Sequence, residues 1–363
     1  MYPELVLYKD RIRANVRAVV GQCKAAGIQV TGVVKGVNGN LDIVKMQLEE
    51  GITQIGSSRL HQLEAIKNQF PKARTMLLRI PMLSEIERMV ETCDLSLQSE
   101  LAVLRRANAV SMKKGIRHQV VLMYDVGDLR EGFFKVSELL EAALEVEFKL
   151  SSLVLAGIGI NIGCYGSVKA TPEIMHKLVD AAARIEEKIG RKLEIVSGGA
   201  TSSLPLVVKG EMPEGINHLR IGEGMLTARE VDEFYHAPIK GQYKNALILR
   251  AELVEIKEKP THPIGTLAYD AFGNQPAYDD RGLKVRLILA VGRQDIGSHD
   301  RLIPVDPEIE LIGSSSDHVI VETKEWRNQY KLGDILEFEL LYPAMLYLTE
   351  SPDVTKTMVG GGL

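Results

Sequence analysis

The sequence predicts an α/β fold, a (β/α)8 TIM barrel followed by a C-terminal β-rich domain. Three observations carry the barrel and its appendage. Between about residues 29 and 235, short runs rich in Val, Ile and Leu alternate with longer segments of helical period. Beyond about residue 240, strand patterns separated by Gly, Pro and Asp turns follow one another with no clear helix. At 363 residues and 45% hydrophobic content, the chain can bury one large core and a smaller one.

Taken in order, the opening ELVLY reads as a strand before the barrel's first, available to pair with the C-terminal sheet. Eight runs then read as barrel strands: QVTGVVK, QIGSS, RTMLLRI, DLSLQ, RHQVVLMYDV, LVLAGIGIN, KLEIVSG and INHLRIG. Helical candidates lie between them, among them LDIVKMQLEEG, RLHQLEAIKNQF, LSEIERMVETC, ELAVLRRANAVSMKKG, VSELLEAALEVEF and TPEIMHKLVDAAARIEEKIG. In the last, Ile174, Leu178, Ala181, Ala182 and Ile185 fall on one stripe, as packing on a sheet requires. Eight strand-then-helix units close into a parallel barrel, although a doubly wound open sheet also fits alternation. The runs NALILRAELVEIKEK, KVRLILAVGR, HVIVETK and DILEFELLY supply the second domain. The expected boundaries are a barrel over 10–235 and a β-rich domain over 236–363 joined by strand 1–9, with the glycine-rich end GGGL frayed.

Composition narrows the function. Charged residues make up 25% of the chain, the net charge is -4, and no long basic block occurs, which disfavours nucleic acid and anionic membranes as partners. Cys23, Cys93 and Cys164 lie far apart without CxxC spacing, so neither a disulfide framework nor a zinc site is expected. The eight histidines show no HExxH-type pairing, and no metal is expected. A charge at the fourth residue argues against a signal peptide, and no apolar run approaches the ~20 residues of a membrane span. A cytoplasmic protein is expected.

In a barrel of this kind the active site forms where the strands end. Lys35 ends the first run. A lysine there can simply snorkel to solvent. Inside a barrel mouth its amine would instead be partly desolvated, lose its proton more easily and condense with an aldehyde as a Schiff base. Pyridoxal 5'-phosphate is the obvious aldehyde, and it makes demands that the other strand ends can meet. SGGATSS, Ser197 to Ser203, offers Gly198, Gly199, Thr201 and Ser202 as a phosphate cradle, though Ser-Gly-Gly also makes ordinary turns. LRIGEG adds Arg220, Gly222 and the backbone at Glu223, and YDVGDLREGF brings Arg130.

Lys35, Arg130, the Ser197 to Ser203 segment and Arg220, in this order and followed by a β domain, resemble the alanine racemase fold family. MLLRIPM, VGDLREGFF, INIGCYG, IVSGGATSS, LRIGEGM and DAFGNQP resemble its ornithine racemase branch, and the likeness covers nearly the whole chain. The resemblance implies that Lys35 holds the cofactor and serves as acid and base on one face of the substrate's α-carbon. It further implies that Arg130 approaches the phenolic oxygen, that Arg220 faces the pyridine nitrogen, and that Asn161 lies beside the ring. A guanidinium does not give up its proton, so a ring nitrogen facing it stays unprotonated, which suits racemisation more than transamination. The expected activity is interconversion of the L and D forms of a basic amino acid, ornithine or else lysine or arginine, by a homodimer with shared active sites.

The departures are as informative. KGVNGN places Gly39 where alanine racemases carry a phosphate-binding tyrosine, leaving Asn38 or Asn40 as substitutes, and the lysine that some members carbamylate falls on Met123. The partner-supplied catalytic tyrosine falls on Ile264, so the opposite-face acid is unassigned. Tyr269 and Asp270 lead as candidates, then Asp317 and His318, then Cys164 or Tyr165, although DAFGN and SDHV also read as a turn and a strand start. Asp128, Glu131 and Glu223 could receive a cationic side chain or could pair with the arginines. Two rival readings are a lyase such as a D-threonine-type aldolase, which would need a metal-ligand cluster, and a non-catalytic pyridoxal-phosphate carrier, which would leave the second domain unexplained.

Overall fold

The computed structural model describes residues 1–275, 277–325 and 329–360; the last three residues of the GGGL end and Pro276 of DAFGNQP lie outside them. Strand β1 (Glu4–Tyr8) leads into a helix, Lys9–Ala25. Eight parallel strands follow: β2 (Gln29–Val33), β3 (Gln54–Ser57), β4 (Arg74–Leu77), β5 (Leu95–Gln98), β6 (His118–Met123), β7 (Leu153–Gly159), β8 (Ile195–Ser197) and β9 (His218–Ile221). They pair in sequence order and close as β9 bonds back to β2, with Thr31 opposite Arg220. The barrel is therefore closed, and the open-sheet alternative does not describe this chain.

Each of the eight runs forms a barrel strand because its β-branched and aliphatic residues are buried on both faces, as parallel strands covered by helices must be. Met76, Leu95, Leu97, Val121, Met123, Ala156 and Ile195 make one core cluster within the barrel unit. The helix Pro172–Ile189 starts on Thr171, whose hydroxyl accepts the Ile174 N–H, and stops at Gly190 in the left-handed region. Its buried stripe is Met175, Leu178, Ala181, Ala182, Ile185 and Ile189. Met175 thus replaces the expected Ile174, because the helix is rotated by about one position on the sheet.

The chain divides into two compact units, Ile12–Tyr243 and a second formed by Met1–Arg11 with Lys244–Leu363. The second unit holds β10 (Leu247–Pro260), β11 (Leu283–Leu289), β12 (Leu302–Pro304), β13 (Ile309–Ser314), β14 (Val319–Thr323), β15 (Ile335–Leu340) and β16 (Thr355–Val359). Their order in the sheet is β12-β15-β10-β11-β14-β13, while β1 lies between β10 and β16, antiparallel to the first and parallel to the second. Contrary to the expectation of no helix, Tyr342–Glu350 is helical. Pro343, which looks like a turn residue in sequence, sits in the first helical turn, where its missing N–H costs nothing.

Candidate active site

Lys35 lies two residues past the end of β2 and opens a single helical turn, Lys35–Val37, closed by Asn38 in the left-handed conformation. Asn38 Oδ1 accepts from Gln62 Nε2 at 2.7 Å, and Asn40 Oδ1 accepts the N–H groups of Asp42 and Ile43, capping the next helix. Both asparagines therefore hold the backbone around Lys35. Burial lowers the Lys35 amine from its usual value, and the charges of Cys164, Arg130, Glu131 and Arg220 act on it as well. These side chains, on β9 and on the loops after β6 and β7, lie near enough to the amine at the C-terminal end of the barrel to act on it electrostatically.

Arg130 is carried on a loop that doubles back on β6. Asp125 Oδ1 accepts the N–H groups of Gly127 and Leu129, and Phe133 N–H bonds to Met123 O at 2.8 Å. Gly132 lies at φ +132°, and a Cβ there would stand 2.5 Å from Asp125 N, so only glycine permits the fold-back. The Arg130 guanidinium is gripped by both oxygens of Glu131, a pairing that raises its pKa further. Asp128 is committed elsewhere: it accepts backbone N–H groups from Gly163 at 3.0 Å, Tyr165 at 3.1 Å and Val168 at 3.2 Å, clasping the loop after β7. Burial pushes the Asp128 carboxyl up, but the N–H groups of Tyr165, Val168 and Gly163 outweigh it and hold it below the usual range.

Arg220 is 4% exposed and lies on β9. Its guanidinium donates to Ile160 O at 2.7 Å and to Ser197 Oγ, and forms no ion pair among the described residues. Burial lowers its pKa to about 10, which still leaves it a cation at neutral pH. Asn161, just past β7, is 9% exposed, and its Nδ2 has no partner among the described residues. An orphaned buried donor of this kind marks a place where another group belongs.

The segment after β8 bends sharply at Gly199, φ +113°, where a Cβ would stand 2.6 Å from Ser203 Oγ. Thr201 begins a short helical turn, its Oγ1 accepting Gly224 N–H at 3.3 Å, while Ser202 Oγ donates to Ile162 O at 2.7 Å. Gly198 and Gly222 also sit where a side chain would crowd Ile216 and Val33. The loops after β8 and β9 are thus tied together through Thr201 and Gly224. Glu223 faces inward: Thr227 Oγ1 and Arg229 N–H bond its Oε1, its Oε2 has no partner among the described residues, and burial raises its pKa.

Four of the remaining candidates lie in the β-rich unit, Tyr269, Asp270, Asp317 and His318, and two in the barrel unit, Cys164 and Tyr165. Tyr269 is 73% exposed. Asp270 accepts the N–H groups of Phe272 and Asn274 within its own turn, bonds that with the Asn274 side chain hold its carboxyl below the usual range. Asp317 accepts from Gln294 Nε2, and His318 N–H bonds Ser315 Oγ just before β14. Tyr165 and Cys164 are exposed on the clasped loop after β7. Among the described residues no group of three or more His, Cys, Asp or Glu could hold a metal ion.

The family profile described as alanine racemase, N-terminal domain, matches residues 7–230. The chain belongs to the alanine racemase family. Among its relatives are the ornithine racemase of Acetoanaerobium sticklandii, 40% identical over 95% of this chain and 96% of that protein, and the lysine racemase of Thermotoga maritima, 35% identical over 98% of both. The alanine racemase of a D-cycloserine-producing Streptomyces lavendulae has the same fold, with a TM-score of 0.75 at 16% identity over 99% of this chain and 97% of that one. Within the alanine racemase family this chain carries Met123 fully buried in the barrel core and Ile264 90% exposed in the β-rich unit. Sequence reading missed His218 and Thr31, which bond one another at 2.7 Å inside the barrel. Their signal was polar residues at inward strand positions, His218 lying two before Arg220.

Proposed function

We propose that the protein is a pyridoxal-phosphate-dependent racemase interconverting the L and D forms of a basic amino acid, ornithine or lysine, with arginine a poorer fit to its named relatives. The observation that carries this reading is the half-buried Lys35 amine, shifted toward its neutral form and surrounded by Arg130, Arg220 and Cys164.

The residues present fit the cofactor. Asn161 Nδ2 is an orphaned buried donor, Arg220 is a buried guanidinium without an ion pair among the described residues, and the glycine-bearing turns after β8 and β9 carry Thr201, Ser202 and Gly222. In this reading Lys35 holds the cofactor, the loops after β8 and β9 hold its phosphate, Arg130 meets the phenolic oxygen and Arg220 the ring nitrogen. Bound pyridoxal phosphate supplies an aldehyde for the substrate's α-amine and a ring that accepts electron density as the α-proton leaves. Lys35 takes and returns that proton at its Nζ on one face of the α-carbon, since its partly desolvated amine is a competent base. Arg220, still protonated with a pKa of about 10, has no lone pair to accept a proton and keeps the ring nitrogen unprotonated.

For the opposite face, two sources stand beside one another. Exposed Tyr269 suits a group delivered by the β-rich unit of a partner in a homodimer, whereas Cys164 already lies close enough to Lys35 for its charge to act on the amine. Asp270 is a weaker candidate, because its own turn occupies its carboxylate. The test is single L-amino acids with the cofactor, followed by chiral chromatography. D-ornithine or D-lysine is expected, and Cys164→Ser against Tyr269→Phe identifies the second group by which variant stops forming it. No D-isomer from any basic amino acid would refute the proposal.

A further inference from the structure

Arg220 does not stand alone in the barrel. Its Nη1 donates to Ser197 Oγ at 2.5 Å; Ser197 Oγ lies 2.8 Å from His218 Nδ1; His218 Nε2 lies 2.7 Å from Thr31 Oγ1; and Thr31 Oγ1 lies 3.9 Å from Met76 Sδ. Ser197 and Thr31 are fully buried, His218 is 2% exposed, and the line crosses the adjacent strands β8, β9 and β2.

Donor chemistry gives this line a direction. A guanidinium has donors only, so Ser197 Oγ accepts from Arg220. The one proton of that hydroxyl then has a single acceptor among the described residues, His218 Nδ1, which must be bare. A neutral imidazole carries its N–H on the other nitrogen, so Nε2 donates to Thr31 Oγ1, whose own proton is left to face Met76 Sδ. The opposite tautomer would aim two donors at Ser197 and strand the serine's proton in the barrel core. Protonated His218 would do the same and add a cation beside Arg220; burial, then the charges of Arg220 and Arg74, hold the imidazole down at about 3, in keeping with a neutral ring.

We infer that His218 is a positioning residue for Arg220, acting through Ser197: its bare Nδ1 turns the serine hydroxyl so that a lone pair faces the guanidinium and fixes where that cation points. The role deepens the proposed function, since it rests on Arg220 being the partner of the cofactor's ring nitrogen. It assigns three polar residues to a purpose that a packed apolar core would not require, because a buried guanidinium without a carboxylate needs every acceptor it has.

The test begins on the full chain without added cofactor. Selective ¹⁵N labelling of histidine, with His218 assigned by loss of its signal in His218→Phe, should show a neutral ring protonated at Nε2 at pH 7. Labelled arginine should show an Arg220 guanidinium with slowly exchanging protons in the wild type and in His218→Gln, and rapid exchange in His218→Phe. The loaded enzymes give the functional readout. Transamination per racemisation turnover, followed as pyridoxamine phosphate, should rise about tenfold in His218→Phe, the scale of one lost hydrogen bond, and return toward wild type in His218→Gln. An Nδ1–H ring, an imidazolium at pH 7, or a His218→Phe variant that loses only melting temperature would each overturn the inference. If the wild type fails to racemise, the proposed function falls, while the two cofactor-free spectra still decide whether His218 positions Arg220.

Discussion

Lys35 is an amine at a strand end that partial burial moves toward its neutral form, so replacing it should change the cofactor's chemistry and leave the fold intact. Lys35→Ala is expected to abolish the absorbance near the visible edge that the wild type shows with pyridoxal phosphate after dialysis, with unchanged circular dichroism; a retained band would place the attachment elsewhere. Glu230 gives a test independent of the cofactor. Burial, then the neighbouring charge of Glu223, raises its carboxyl from 4.5 to about 7, so the folded state binds that proton more tightly than the unfolded chain does. Its stabilising effect is complete below about pH 4.5, is lost as pH rises toward about 7, and amounts to at most about 3 kcal/mol. Urea unfolding at pH 5 and pH 8 should show that loss in the wild type and a smaller one in Glu230→Gln; equal losses would remove Glu230 from the account. As candidates, Lys35 and Arg220 were legible in the sequence because each ends or breaks an apolar run, and Arg130 because it follows the end of one. His218 was not, because its significance depends on which side chains from β2 and β8 meet it across the barrel.

At the scale of elements, the loop after β7 is the clearest device. Asp128 reaches from the loop after β6 to accept three of its backbone N–H groups, so one carboxylate couples the segment that carries Arg130 to the segment that carries Cys164. Asp128→Ala should cost about 1–3 kcal/mol in urea unfolding, the scale of leaving buried donors unsatisfied. It should also weaken binding of pyridoxal phosphate in equilibrium dialysis, whereas unchanged stability and affinity would make the clasp incidental. The eight barrel strands and six of the helices were readable because their periodicity is long and continuous. The helix Tyr342–Glu350 was hidden by Pro343 and by following β15 almost at once, and β12, β13 and β16 are too short or too mixed in pattern to separate from turns. The rotation that buries Met175 in place of Ile174 is a packing outcome, since both residues are apolar and adjacent on the helix face.

At the scale of the molecule, a closed barrel gathers the ends of eight strands into one place, which is how residues as far apart in sequence as Lys35 and Arg220 come close enough for the charge of one to act on the other. That convergence was legible from the alternation of runs, and the family followed from motifs at several strand ends occurring in one order. The opposite-face group was not legible, because the position that resemblance assigns to it is Ile264, an alkyl side chain with no proton to give. Among the described residues no helix is long and apolar enough to cross a membrane. A homodimer is part of the proposed function, and sedimentation equilibrium of the full chain should return twice the 40.1 kDa chain mass.

The central claim is reversible removal of an α-proton from a basic amino acid, with return to either face. Its most direct measurement is proton NMR of L-ornithine and L-lysine in D₂O with the protein and pyridoxal phosphate, paired with chiral separation of the products. The account predicts loss of the α-proton signal together with appearance of the D-isomer, and neither change with Lys35→Ala. Bound cofactor with no α-proton exchange from either amino acid would contradict it.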